Sequence, residues 1–182
     1  MEHVAAFTGH MVDTPDRKTP RFPEEKVPIV RQEIATRIRE LNIRYGVSSA
    51  VRGADILFIE ELLNQGGMVH VYLPFSRAAF RGTSVGYGWD ERYARILQDP
   101  RIEVVELSKD LPPQERQAAT YDRCNIRIQE ETIRLARARG GQPLLLAVWN
   151  GNLGDDRGGT ADAIRRWQHD GHRLEVINLA QL

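Results

Sequence analysis

Gly158-Gly159-Thr160, followed by Asp162, is the segment of this 182-residue chain whose residue types best suit an anion. The apolar run Leu144–Trp149 ends in Asn150-Gly151, a Gly/Asp-rich loop follows, and a helix-like stretch opens at Thr160. Strand, glycine loop and helix N-terminus in that order expose backbone N–H groups to negative charge. Glycines let the backbone come close to a phosphate, and the Thr160 hydroxyl can cap the helix. Two related turns lie upstream, at Thr8-Gly9-His10 and Arg52-Gly53-Ala54-Asp55. Three polar, glycine-bearing turns after three strands predict one site for a nucleotide or a sugar phosphate.

Each candidate side chain has a distinct chemistry. Arg52, at a strand end, can clamp a phosphate bidentately, and Asp55 can interact with a helix dipole or with the ligand. His10 can donate to a phosphate or a base. Ser76 and Arg77, with Arg81 and Ser84, are read as a polar loop able to close over an anion. Asn150 offers an amide and Trp149 a stacking face. Tyr121 and Asn125 lie one helical turn apart, with Tyr121 read as core. Cys124 has no histidine near it in sequence and is read as inert. Glu60 and Glu61 fall on the helix after Asp55, where one of them could turn inward as a general base.

The elements that must position these groups follow from apolar periodicity. Strands are expected at Val4–Phe7, Val47–Val51, Met68–Leu73, Ile102–Leu107, Leu144–Trp149 and Leu174–Leu179. Helices are expected from Pro28 to Tyr45 (ended by Gly46), from Ala54 to Gly66-Gly67, from Trp89 to Leu97, from Pro112 to Arg139 and from Thr160 to His169. Residues 11–28 hold four prolines among many charges and read as a long irregular loop, a type that is often functional or mobile. Strands alternating with helices predict an α/β fold: a doubly wound, mainly parallel six-stranded sheet with helices on both faces. Ligands then bind at the carboxyl ends of the strands.

Composition limits the partners. The apolar fraction is 41%, the charged fraction 27%, and 25 basic side chains balance 25 acidic ones. Zero net charge predicts no nucleic-acid and no anionic-membrane partner. A single cysteine rules out an internal disulfide or a multi-cysteine zinc cage; separately, no metal and no cofactor is expected. With no signal-like or spanning segment, the expectation is one cytoplasmic domain over residues 1–182, with a homo-oligomer left open.

The stretch Ser48-Ser49-Ala50-Val51-Arg52-Gly53-Ala54-Asp55, a helix, Gly66-Gly67 and the strand to Leu73-Pro74 resembles the DNA-processing protein DprA. DprA belongs with the cytokinin-activating phosphoribohydrolases to the SLOG superfamily of Rossmann-like domains. Ala54 stands where that motif has isoleucine, and Gly158-Gly159-Thr160 is similar to the superfamily's second glycine turn. The resemblance implies a Rossmann-like nucleotide-binding domain, and in one branch cleavage of the N-glycosidic bond of nucleoside monophosphates. Such cleavage needs a carboxylate, for which Glu60 and Asp162 are the catalytic candidates and Asp55 a further one. The phosphoribohydrolase loop carries two glutamates after its threonine; here those positions are Asp162 and Ala163. Asp155 and Asp156 would also oppose a phosphate. The reading that follows is a nucleotide binder, with a sensor as one role; a phosphoribohydrolase or a protein-interaction module with an inactive pocket are the alternatives.

Overall fold

The strands form where β-branched and small apolar residues run without interruption. The structure, a computed structural model, describes residues 2–152 and 159–182. Six strands, β1 (His3–Gly9), β2 (Ile43–Ser48), β3 (Met68–Leu73), β4 (Ile102–Glu106), β5 (Gln142–Trp149) and β6 (Arg173–Asn178), form one sheet in the order β4-β3-β2-β1-β5-β6. Every pairing is parallel. Both faces are therefore covered, as parallel sheets require. Ala5 and Phe7 of β1 face one core layer, and Val4 and Ala6 face the other.

The first layer is covered by α1 (Val27–Glu40), α2 (Ala54–Asn64), α3 (Arg77–Ser84) and α4 (Asp90–Gln98), which contribute Ile34, Phe58, Phe80 and Ile96 to it. The second is covered by α5 (Gln114–Arg139) and α6 (Thr160–His169), with Ile128 and Trp167 buried there. The chain runs outward from β1 through β2 and β3 to β4, then crosses back to β5 on the other side of β1. The direction reverses between β1 and β5, and there a doubly wound sheet opens a crevice at its carboxyl edge. No helix among the described residues is long and apolar enough to cross a membrane.

Three expectations are corrected. The helix expected to reach Tyr45 ends at Glu40, and the strand expected at Val47–Val51 runs from Ile43 to Ser48 with Gly46 inside it. Gly46 is not a helix stop. A Cβ there would lie 2.8 Å from Leu62 Cδ2 and Phe58 Cε1, so the glycine lets α2 pack directly on β2. The stretch read as a polar loop after Pro74 instead folds as α3, with Ser76 at its N-cap accepting the Ala79 N–H. Gly82, Thr83 and Ser84, poor helix formers, conceal it in the sequence.

Phe58 stacks on Phe7 with ring centroids 4.4 Å apart, so it has little room to retreat from a new methyl group. Gly46→Ala should therefore cost about 1–3 kcal/mol by overpacking. That outweighs the roughly 0.5–1 kcal/mol that alanine gains over glycine in a regular element. A lower urea midpoint at unchanged slope is the expected result.

Candidate functional site

The crevice begins with a close approach of backbones. A Cβ on Gly9 would lie 2.4 Å from Ala54 Cβ, so the end of β1 meets the first residue of α2 only because residue 9 is glycine. His10 carbonyl accepts the Ala54 N–H at 3.3 Å, and Met11 pairs with Gly53 as an isolated antiparallel bridge. Gly53 has φ of 99°, and a Cβ there would meet Val12 N at 2.5 Å. Glycines expected to admit a phosphate here admit the chain itself.

Above this junction lies a cleft of about 480 Å³. Thr8, Gly9, His10, Asp55, Gly159 and Thr160 are among the residues that line it. Of the three turns expected to converge, each contributes at least one residue. Gly158, Asp155 and Asp156 lie outside the described residues. Thr160 is buried but is not the cap: Gly159 occupies the N-cap position, extended (φ −82°, ψ −176°) and with no side-chain bond to the helix. Glycine carries no capping group, so the N-cap residue itself satisfies none of the first N–H groups of α6, and Gly159 and Thr160 line the cavity.

Other expected ligands are engaged elsewhere. Arg52 does not line the cleft. Its Nε donates to Val12 carbonyl (3.2 Å), its Nη1 donates to Val85 carbonyl (3.1 Å), and its guanidinium lies 4.7 Å from the Tyr87 ring centroid. It ties two loops together instead of clamping a phosphate. Ser76 is spent as the α3 cap, and Arg77 donates to Glu106 from both its backbone N–H and Nε. Glu60, proposed as a base, is held by Arg92 through two hydrogen bonds, one at 2.8 Å, beside a separate cavity of about 320 Å³ between α2 and α4. Asp162 is paired with Arg165 one turn along α6 and does not line the cleft. Both catalytic candidates are thus ion-paired away from the cavity.

Asn150 acts through His10. Its Oδ1 accepts the Asn152 N–H at 3.1 Å and lies 3.1 Å from His10 Nε2. An oxygen that already accepts fixes Nε2 as the donor and leaves Nδ1 as the acceptor of a neutral ring. Burial, reinforced by Arg21 and Arg17, pushes the imidazole pKa below its ordinary value, with Asn150 and Asp13 opposing. The ring is neutral at pH 7.

Sequence reasoning missed the cleft's cations. Arg17 and Arg21 come from the proline-rich loop after β1, which folds back on itself around Asp13. Asp13 Oδ2 accepts the N–H groups of Arg21 (2.8 Å) and Phe22 (2.9 Å), and Phe22 is fully buried. The loop's length was the one signal that could have pointed there. Ser49, Thr83 and Ser84 also line the cleft, with Tyr121, whose hydroxyl lies 2.6 Å from Ser84 Oγ. The Cys124 thiol lines it too. Burial first, then the nearby Asp55, pushes its pKa up to about 12, so it stays protonated and donates to Tyr72 carbonyl at 3.4 Å.

Asp55 is the carboxyl that remains in the cavity. Its position in the first turn of α2 should favour the charged form by about 0.3–1 kcal/mol. Burial wins: the pKa is pushed up to about 7, against a weak pull from the Val51 N–H at 3.4 Å.

No protein-family model and no curated protein matches this chain. Solved structures do, as likenesses of fold. DprA from Streptococcus pneumoniae matches at 15% identity with a TM-score of 0.45, over 95% of this chain and 58% of that one. The chain thus spans less than two thirds of that protein's length. DprA from Helicobacter pylori, described for its single-stranded DNA binding mode, matches at 18% identity and 0.41, over 98% and 77%. The Moco carrier protein from Chlamydomonas reinhardtii matches at 10% and 0.37, over 99% and 92%. DprA is the protein to which Ser48–Pro74 is likened above. The expectation of no nucleic-acid partner is corrected by the DNA-binding neighbour. Net charge is a sum over the whole surface, whereas a phosphate meets local charge, such as Arg17 and Arg21 on one cleft.

A carboxyl whose pKa rises from 3.8 to about 7 on folding makes stability fall as pH rises between those values, since the folded state holds the extra proton. The loss is on the order of 4 kcal/mol, complete above pH 7. Asp55→Asn, which cannot ionise, should gain stability relative to the native chain between pH 4 and pH 8. Thermal unfolding of both across that range measures the gap; a constant gap would show Asp55 already solvated.

Proposed function

We propose that the cleft binds a nucleotide or nucleotide-derived ligand, with its phosphate between the start of α6 and the loop that carries Arg17 and Arg21. One observation carries this: the N-terminus of α6, whose N-cap residue Gly159 offers no side-chain cap, and two arginines from a distant segment line the same 480 Å³ cavity at the β1–β5 crossover. Helix N–H groups and guanidinium groups both favour an anion. Asp13, 3.3 Å from Arg17 Nε, offsets part of the Arg17 charge, so the anion is held by the helix N–H groups together with both arginines and not by Arg17 alone. His10, with its pKa lowered by burial, adds no third cation. The cavity size suits a mononucleotide. We read residues 1–182 as one domain in the reducing cytoplasm, where a buried thiol stays reduced, and the ligand as a signal that the protein senses.

The hydrolytic alternative is favoured by one observation, a carboxyl with pKa about 7 in the cleft. With Glu60 and Asp162 paired, Asp55 would have to supply the acid or base. No second carboxylate among the described residues lines the cleft to work with it.

Calorimetry with adenosine 5′-monophosphate tests the binding reading. Replacing Arg17 and Arg21 together by alanine, or Gly159 by valine, should each weaken binding tenfold or more, about 1.4 kcal/mol. Wild-type affinity in both variants would place the ligand elsewhere. Chromatography of the same mixtures should show no free base above a control without protein; base release lost in Asp55→Asn would establish the hydrolase instead.

A further inference from the structure

Asp55 is more than a passive part of the wall. We infer that its carboxylate reads a vicinal diol, so that the cleft selects ribose over deoxyribose in its phosphate ligand. This rests on the binding reading above and adds the sugar to it.

The argument starts from an imbalance. A carboxylate has about four acceptor positions. Among the described residues Asp55 receives one hydrogen bond, from Val51 N–H at a long 3.4 Å, while the residue is 6% exposed. Cys124 Sγ–H is turned to Tyr72 carbonyl, and one hydrogen of the Ser84–Tyr121 hydroxyl pair is spent between their two oxygens, 2.6 Å apart. A buried acceptor left short of donors costs free energy unless something supplies them. Asp55 lines the cavity, so a bound molecule can do so.

The donor's chemistry follows by elimination. A metal ion is disfavoured, since no group of three or more His, Cys, Asp or Glu among the described residues could hold one. A cationic ligand is opposed by Arg17 and Arg21 on the same cleft. Neutral O–H or N–H donors remain. A nucleobase edge needs flat faces on which to stack. Tyr121, the larger aromatic ring at the cleft, already packs edge-on against Phe75 with centroids 5.7 Å apart. Ser49, Thr83 and Ser84 line the same cavity as Asp55, and hydroxyl side chains suit a sugar. Two adjacent hydroxyls can donate in parallel to the two oxygens of one carboxylate. A 2′-deoxy ligand would leave one of those oxygens unmet.

The test compares adenosine and cytidine 5′-monophosphates with their 2′-deoxy forms by calorimetry at pH 8, where the Asp55 carboxyl is ionised. The native protein should bind the ribonucleotides tenfold or more tightly than the deoxy forms. Asp55→Asn should bring the ribonucleotides down to the deoxy level and leave the deoxy affinities within about threefold. Its unfolding temperature, recorded alongside, confirms that the variant is folded. Equal affinity of native protein for both sugars overturns the inference while leaving phosphate binding intact, as does a ratio that survives in Asp55→Asn. Absence of binding by all four nucleotides overturns the binding reading, and the sugar assignment falls with it.

Discussion

The contact between Gly9 and Ala54 sets the geometry on which the site depends. With 2.4 Å between an imagined Gly9 Cβ and Ala54 Cβ, no side chain larger than hydrogen fits at the end of β1. The approach lets His10 carbonyl take the Ala54 N–H and lets Met11 pair with Gly53. Those bonds fix where α2 begins, and therefore place Asp55 under the strand end. They also fix where the chain leaves β1, and therefore where the loop bearing Arg17 and Arg21 starts. Acid and cations face one cleft because a single helix–strand junction anchors both.

Arg52 extends the same logic away from the cleft. It follows β2 and is almost fully buried, and its donors go to the carbonyls of Val12 and Val85. An arginine so placed joins the loop after β1 to the segment after α3. Replacing a phosphate by two backbone carbonyls is consistent with burial: an unpaired guanidinium there would be costly, and carbonyls are always at hand. The residue that sequence spacing marks as a ligand clamp is thus a brace for the loop that carries the clamps.

The sequence carried the frame more clearly than the site. The β3 strand and the extents of α2 and α6 were readable because apolar spacing and flanking glycine or proline agreed there. Gly46 misled because a glycine that admits a neighbouring helix and a glycine that ends a helix look alike in one sequence. For the same reason Glu60 and Asp162 passed as catalytic candidates: their partners Arg92 and Arg165 are visible only once helices are placed. Arg17 and Arg21 carried no periodic signal at all, since irregular chain is positioned by hydrogen bonds to Asp13 and by the buried Phe22.

Two helix N-termini reach this cleft, and they are not equivalent. The start of α2 carries its own acid, Asp55, in the first turn, so the partial positive charge there already faces a carboxyl. The start of α6 has Asp162 in its first turn, but that acid is turned into an ion pair with Arg165 and does not line the cavity. On the binding reading, a ligand would meet one helix end that opposes an anion once Asp55 ionises and one that accepts it. Arg17 and Arg21 reinforce the asymmetry only if the anion goes to α6, because near Asp55 their attraction would be offset by the carboxylate. Polarity of this kind would orient a molecule with one anionic end and one neutral, hydroxyl-bearing end. It does so within a chain whose total charge is zero, because burial and pairing decide which charges a ligand can meet.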